Sequence, residues 1–178
     1  VLHYPGGLSD YLNDATADTA LLVSTPFADL VELDGQKFEW AITWLSAGED
    51  GFFHSYCNTV PTPSGGTHEA GFRQAITRAL RSFGDLAGNR KAAEITADDV
   101  FAGTAVMLSV FLRDPQFQGQ TKDRLVSADA TRQTEQAARD RFEQWLAADA
   151  ARANFLLDAA IERAEERKRR RKEREVAR

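Results

Sequence analysis

Lys37-Phe38-Glu39-Trp40-Ala41-Ile42-Thr43-Trp44-Leu45 is the stretch that decides the fold. Phe38, Trp40, Ile42 and Trp44 fall at every second position, with Glu39, Ala41 and Thr43 between them. Strand side chains alternate between the two faces of a sheet, so this period of two marks a strand with one buried face. Upstream, Phe27 to Leu33 reads as its partner, and the intervening Asp34-Gly35 favours the positive φ values of a tight hairpin. Downstream, Ala47-Gly48-Glu49-Asp50-Gly51 is a turn. Phe52 to Val60 is a third strand, ended by Pro61 and Pro63, which lack ladder donors. Ala105 to Leu112 is an apolar run with β-branched residues and reads as a central strand.

The helices follow from the other period. Leu8 to Asn13 is a short amphipathic stretch, and Asp14 to Ser24 a connection. After the break Ser64-Gly65-Gly66, a helix opens near Thr67. Its Phe72, Ile76, Ala79, Leu80 and Phe83 share a face that would cover the sheet, and Gly84 and Gly88 fray or end it. Thr96-Ala97-Asp98-Asp99 has the form of an N-cap with acids at the positive end of a short helix. From about Ala130 the chain is rich in Ala, Glu, Arg and Lys without proline or glycine, which predicts two helices broken around Ala147 to Ala150. The class is α+β, with helices on one side of an antiparallel-rich sheet of about four strands and a long C-terminal helical extension.

Composition narrows the function classes. No run of about 18 uncharged apolar residues exists, so no membrane-spanning helix is predicted. The start Val1-Leu2-His3-Tyr4-Pro5-Gly6-Gly7 lacks the basic and apolar regions of a signal peptide, and the missing initiator Met leads us to expect a piece of something longer. Cys57 is the sole cysteine, which fits a reducing cytoplasm and reads as a small buried hydrophobe. His3, His54 and His68 have no metal-ligand spacing, so no metal site is expected. His68 at a helix start reads as a structural residue, and Trp40 and Trp44 as core. The net charge of −5 is uneven: Arg163 to Arg178 holds nine Lys or Arg against four Glu, a local +5, and the preceding 162 residues carry −10. A mildly acidic body with a basic tail suggests one local polyanion contact.

Two readings fit the loop Gln116 to Lys122. One is a solvated surface loop. The other is an anion contact, in which Lys122 offers an ammonium, Gln120 an amide donor alongside it, and Gly119 a close backbone approach. No GxxxxGK[ST] phosphate loop occurs in the chain.

The motifs then fall into an order. Asp114-Pro115-Gln116-Phe117-Gln118-Gly119-Gln120-Thr121-Lys122 resembles the QTK loop of the type IIA DNA topoisomerase ATPase subunits. Ser64-Gly65-Gly66-Thr67-His68-Glu69-Ala70-Gly71-Phe72-Arg73 is similar to that family's GGTH stretch, and Tyr4-Pro5-Gly6-Gly7-Leu8-Ser9-Asp10-Tyr11-Leu12 to its junction between ATP-binding domain and transducer. Ser55-Tyr56-Cys57-Asn58-Thr59-Val60-Pro61-Thr62-Pro63 is closer to the topoisomerase IV branch than to gyrase, which usually has an asparagine-rich stretch there.

The resemblance implies a transducer fold like ribosomal protein S5 domain 2, with a left-handed crossover that breaks the usual right-handed rule. It implies a junction and connector over residues 1–26, the transducer over 27–128, and helices over 129–178 leading to a Toprim cleavage domain. Gln120 and Lys122 would contact the ATP γ-phosphate, and loss of that phosphate would tilt the sheet. ATP and Mg would be bound mainly by an upstream domain, and Toprim would hold its own Mg. No catalytic residue is expected between Val1 and Arg178, so this stretch alone would neither hydrolyse ATP nor relax DNA. The implied partners are the topoisomerase IV A subunit, a second copy of the B subunit, and double-stranded DNA, in the bacterial cytoplasm at the nucleoid.

Two readings also fit the basic helix. Glu165 and Glu166 could pair with Arg169 and Arg170 at four-residue spacing on a solvated surface. Alternatively Arg163, Arg167, Lys168, Arg169, Arg170, Arg171, Lys172 and Arg174 could face DNA phosphates along a helix roughly 43 Å long. The gyrase B subunit is the near alternative for the whole chain. A free-standing S5-like nucleic-acid-binding module and a purely structural domain are alternatives of other classes.

Overall fold

The computed structural model describes residues 7–23, 25–46 and 48–177. His3 and the Tyr4-Pro5-Gly6 part of the junction stretch lie outside them, as do Ala47 of the predicted turn and Arg178 of the basic tail. A short helix α1 (Leu8–Ala15) precedes strands β1 (Phe27–Leu33), β2 (Gln36–Trp44), β3 (Phe52–Cys57) and β4 (Val60–Pro61). Helix α2 (Thr67–Leu86), a 3-10 turn (Arg90–Glu94) and helix α3 (Ala97–Phe101) lead into β5 (Thr104–Phe111). A small hairpin, β6 (Phe117–Gln118) and β7 (Arg124–Leu125), precedes the long helices α4 (Ala128–Ala148) and α5 (Ala150–Val176).

The main sheet has the order β1-β2-β5-β3-β4, five strands where about four were expected. The fifth arises because the third strand stops at Cys57. Asn58 and Thr59 adopt φ values of 50° and 69°, and the chain turns so that Val60 and Pro61 pair back onto Cys57 and Tyr56. Pro61 is tolerated there because β4 is an edge strand. The β1–β2 hairpin turns at Asp34-Gly35, with φ 54° and 76°, as the dipeptide predicts. β5 pairs antiparallel with β2 and parallel with β3, and the parallel pair requires the crossover through α2 and α3.

Phe38, Trp40, Ile42 and Trp44 do share one buried face of β2. Phe72, Ile76 and Leu80 of α2 and Phe142 and Leu146 of α4 close over it. Phe27 sits 5.0 Å from the Phe142 ring, and Trp44 stacks on Trp145 at 5.6 Å. The expectation of helices on one face only is corrected. α1 covers the other face, where Leu12 meets Ala41, Leu45, Ala105 and Met107. Ala41 and Thr43, alternating with the aromatics, are therefore buried as well. A hydrogen bond from the Leu8 amide to Glu39 Oε2, 3.3 Å, holds the start of α1 against β2.

α2 continues through Gly84 to Leu86. Thr96 closes the predicted capping box with Asp99. α4 and α5 break at Asp149, whose carboxylate caps α5 by accepting from the Arg152 amide at 3.1 Å. Both helices contribute to the core, α4 through Ala130, Ala137, Ala138, Phe142 and Leu146, and α5 through Ala153, Leu156, Leu157, Ala160, Ile161 and Ala164. Among the described residues no helix is long and apolar enough to cross a membrane.

α2 and α4 approach closely at Gly71, where an added Cβ would overlap the Thr131 carbonyl. Gly71→Ala should therefore destabilise the chain by about 1–3 kcal/mol through overpacking, despite the better helix propensity of alanine. Urea unfolding of the variant at constant m-value measures this; an unchanged or raised midpoint would contradict the close crossing.

Candidate functional site

Gln120, Thr121 and Lys122 form the exposed tip between β6 and β7. The sequence showed this stretch only as irregular; two residue pairs, Phe117 with Leu125 and Gln118 with Arg124, make it a hairpin too short for a period to register. Gly119 has φ 76° and Lys122 has φ 58°. Left-handed backbone at a lysine carries a steric cost, which makes the conformation of this loop specific. Among the described residues the side chains of Gln120 and Lys122 have no hydrogen-bond or ion-pair partner. Lys122 Nζ lies 6.0 Å from the Phe117 ring centroid, at the outer range of cation–π attraction. The structure thus presents a cation and an amide together at one exposed tip.

The base of the hairpin is attached to the Ser64-Gly65-Gly66 turn. The Ser64 amide donates to the Asp123 carbonyl at 2.9 Å, and the Leu125 amide to the Gly65 carbonyl at 3.1 Å. Gly66 forms a parallel bridge with Leu125, and an Arg124 guanidinium nitrogen donates to the Ser64 carbonyl at 3.3 Å. On the other side, Val126 donates to the Gln116 carbonyl at 2.8 Å, and the Gln116 amide to Ser127 Oγ at 2.8 Å. The end of β5 is separately secured: Asn58 accepts from the Leu112 amide at 2.8 Å and donates to its carbonyl at 3.0 Å, while Gln36 accepts from the Arg113 amide at 3.1 Å. Two of the quoted motifs, the GGTH stretch and the QTK loop with its return strand, are in direct contact here.

Beneath this joint runs a buried polar chain. Ser55 Oγ lies 2.6 Å from Glu69 Oε2 and 2.7 Å from Thr62 Oγ1, which lies 3.0 Å from His68 Nε2. An ionised Glu69 only accepts, so Ser55 donates to it, Thr62 donates to Ser55, and His68 donates through Nε2–H to Thr62. His68 Nδ1 is then left without a partner among the described residues. Burial lowers the His68 pKa from 6.5 to about 4. Burial also raises the Glu69 carboxyl above its ordinary range, opposed by the Ser55 hydrogen bond and the charges of Arg73 and Arg124. Cys57, fully buried on β3, has its thiol pushed up to about 11 by burial and is unreactive. The sequence marks His68 as structural but does not show its partners, because Ser55 and Thr62 give no periodic signal.

The basic helix divides into two parts. Arg163 donates to the Asp99 carbonyl at 3.2 Å, Arg167 pairs with the Asp99 carboxylate at 3.1 Å, and Lys168 pairs with Glu94. These three hold α5 against α3 and the 3-10 turn. Burial alone would raise the Asp99 carboxyl, but the Arg167 hydrogen bond and those from Thr96 hold it below the usual carboxylate range. The predicted pairing of Glu165 with Arg169 is not found, since Glu165 takes Lys91 at 2.8 Å. Glu166 does pair with Arg170, at 2.7 Å, and Arg171 pairs with Glu175 at 3.5 Å. Arg169, Lys172 and Arg174 are exposed and have no charge partner among the described residues.

An ordered set of motifs on a mixed sheet, with an exposed lysine loop at one end, defines a member of a known class. The sequence profile of DNA gyrase B matches residues 7–176, and the chain belongs to that family. Within it the chain is similar to the B subunit of DNA topoisomerase 4 from Caulobacter vibrioides, 47% identical over 99% of this chain and 26% of the relative. Its counterpart from Bartonella bacilliformis is 48% identical over 100% of this chain and 26% of the relative. The chain thus spans about a quarter of the length of these relatives. Among solved structures, a topoisomerase IV ATP binding domain of Francisella tularensis superposes with a TM-score of 0.80 at 27% identity, covering 93% of this chain and 44% of that one. The 43K ATPase domain of Thermus thermophilus gyrase B gives 0.84 at 28% identity, over 96% of this chain and 46% of that one.

The buried His68 makes stability pH-dependent. The unfolded chain takes up a proton below pH 6.5, whereas the folded chain resists until about 4. This residue should therefore raise the unfolding constant about tenfold for each pH unit lost in that window, with no effect above it. Urea midpoints from pH 7.5 to 4 should fall less steeply for His68→Gln than for wild type; parallel curves would show that His68 titrates normally.

Proposed function

We propose that this chain is the transducer segment of a topoisomerase IV B subunit, part of an ATP-dependent type II enzyme that passes one duplex through a break in another. The observation that carries the reading is the exposed pair Gln120 and Lys122 on a hairpin that follows β5 in the chain and is bonded to the turn opening α2, in a chain nearly half identical to topoisomerase 4 B subunits. An ammonium set against a γ-phosphate stabilises the charge that develops as the phosphoryl group leaves. Once the phosphate is gone that attraction is lost, and the hairpin can move relative to the nucleotide. Because the hairpin continues the chain from β5 and is bonded to the turn that opens α2, its displacement would rotate the core as a body.

In this reading residues 27–128 are an S5-like transducer, preceded by a junction over 1–26 and followed by helices over 129–178 that lead toward a cleavage domain. ATP and its Mg would be held mainly by an upstream domain, and DNA would meet Arg169, Lys172 and Arg174 through phosphate contacts without sequence preference. Arg163, Arg167 and Lys168 are already occupied in holding α5, and so serve that surface by placing it. The partners would be one type of A subunit, plus a second copy of the B subunit. The gyrase reading is supported by the likeness to Thermus thermophilus gyrase B. Supercoiling in the presence of the A subunit, as against decatenation alone, separates the two.

Lys122→Ala in the full-length protein should lower ATP turnover and strand passage about 100-fold, with thermal unfolding unchanged. Gln120→Ala should cost about tenfold, since a neutral amide contributes less against phosphate than a charged donor. Steady-state ATPase assays with DNA and the A subunit check both; wild-type turnover in Lys122→Ala would remove the sensing role. Residues 1–178 alone should show no ATP hydrolysis above background.

A further inference from the structure

The β6–β7 hairpin has only two residue pairs. A two-stranded hairpin of that size is marginal in water, so the stiffness of its tip must come from what it is bonded to. That support is the Ser64–Gly66 turn. Gly66 has φ 141°, and a Cβ there would overlap the backbone carbonyl and nitrogen of Leu125, so the two backbones meet directly. The turn is held in turn by Thr62. The Gly65 amide donates to the Thr62 carbonyl at 2.8 Å, and the Thr62 amide to the Ser55 carbonyl at 2.8 Å. Thr62 is 1% exposed, and its hydroxyl bridges Ser55 of β3 and His68 on the first turn of α2. Thr62 therefore joins strand, helix and turn where the hairpin is seated, its hydroxyl linking β3 to α2 and its carbonyl holding the turn.

We propose that Gly66 and the Thr62 hydroxyl are positioning residues for the Gln120–Lys122 tip: they seat the hairpin on the start of α2 and so fix where the lysine is presented. This rests on the phosphate-sensing reading above. The tip touches the reacting phosphate while nucleotide affinity comes mainly from elsewhere, so a loosened seat affects turnover more than binding. Thr62→Val removes the hydroxyl at nearly constant shape, and Thr62→Ser retains it.

The test uses the full-length protein together with DNA and the A subunit. Thr62→Val should lower kcat about tenfold with KM for ATP within about twofold of wild type, and Thr62→Ser should restore kcat. Amide hydrogen exchange at 123–126 should quicken in Thr62→Val and not in Thr62→Ser. If the hydroxyl acts through Lys122, the double variant Thr62→Val/Lys122→Ala should turn over no more slowly than Lys122→Ala alone. Multiplying losses in the double variant, or wild-type kcat in Thr62→Val, would overturn the proposal. Should Thr62→Val not fold, Gly66→Ala carries the same cycle. If Lys122→Ala itself keeps wild-type turnover, the phosphate reading fails; the exchange rates then judge the seat separately, and unchanged rates at 123–126 overturn it.

Discussion

Both faces of β2 and β5 are buried, and the rest of the molecule is arranged around that constraint. Large aromatics fill one side, under α2 and α4, while on the opposite side Ala41, Leu45, Ala105 and Met107 lie under α1. Strands held from above and below cannot change register or tilt independently of their cover. The ends of β5 and of the Thr67–Leu86 helix thus keep a fixed relation, and the hairpin, which follows the first in the chain and is bonded to the start of the second, takes its place from them. A loop as short and exposed as 119–122 could not hold a left-handed lysine by itself; it is over-determined by a core to which it contributes little beyond Leu125 and Phe117.

Much of the fold was legible because its elements have strong periods. The alternation in β2, the Asp34-Gly35 turn, the opening of α2 at Thr67 and the break at Asp149 each follow from local chemistry. The departures share a different cause. β4 exists because Asn58 and Thr59 adopt positive φ, which Asn tolerates but the β-branched Thr opposes, so Phe52 to Val60 reads as one strand. Burial of Ala41 and Thr43 depends on where α1 lands, and small residues satisfy either an exposed or a covered face. The Glu165–Lys91 pair joins residues distant in the chain, and four-residue spacing could only propose the local alternative.

The site was readable at a different level. Gln120 and Lys122 are marked by residue type and resemblance, and both are exposed in the tip of the hairpin. What supports them was invisible. Ser55, Thr62, His68 and Glu69 are small or unremarkable polar residues from three segments, and only folding brings their atoms within hydrogen-bond range. Contact between the GGTH and QTK stretches likewise turns two sequence signatures into one mechanical part, since Gly66 has no side chain in order that Leu125 can lie against it.

The division of α5 has a consequence for how force is carried. Up to Lys168 the helix is clamped by the core and by Asp99 and Glu94, whereas residues 169–177 are exposed throughout. This overhang is roughly 13 Å long at about 1.5 Å per residue. It behaves as a cantilever: any load on its tip returns as torque at the Arg167–Asp99 clamp, and from Asp99 enters α3, the element immediately before β5. The central strand is thereby reachable from both of its ends, by the lysine hairpin at one and by a lever arm at the other.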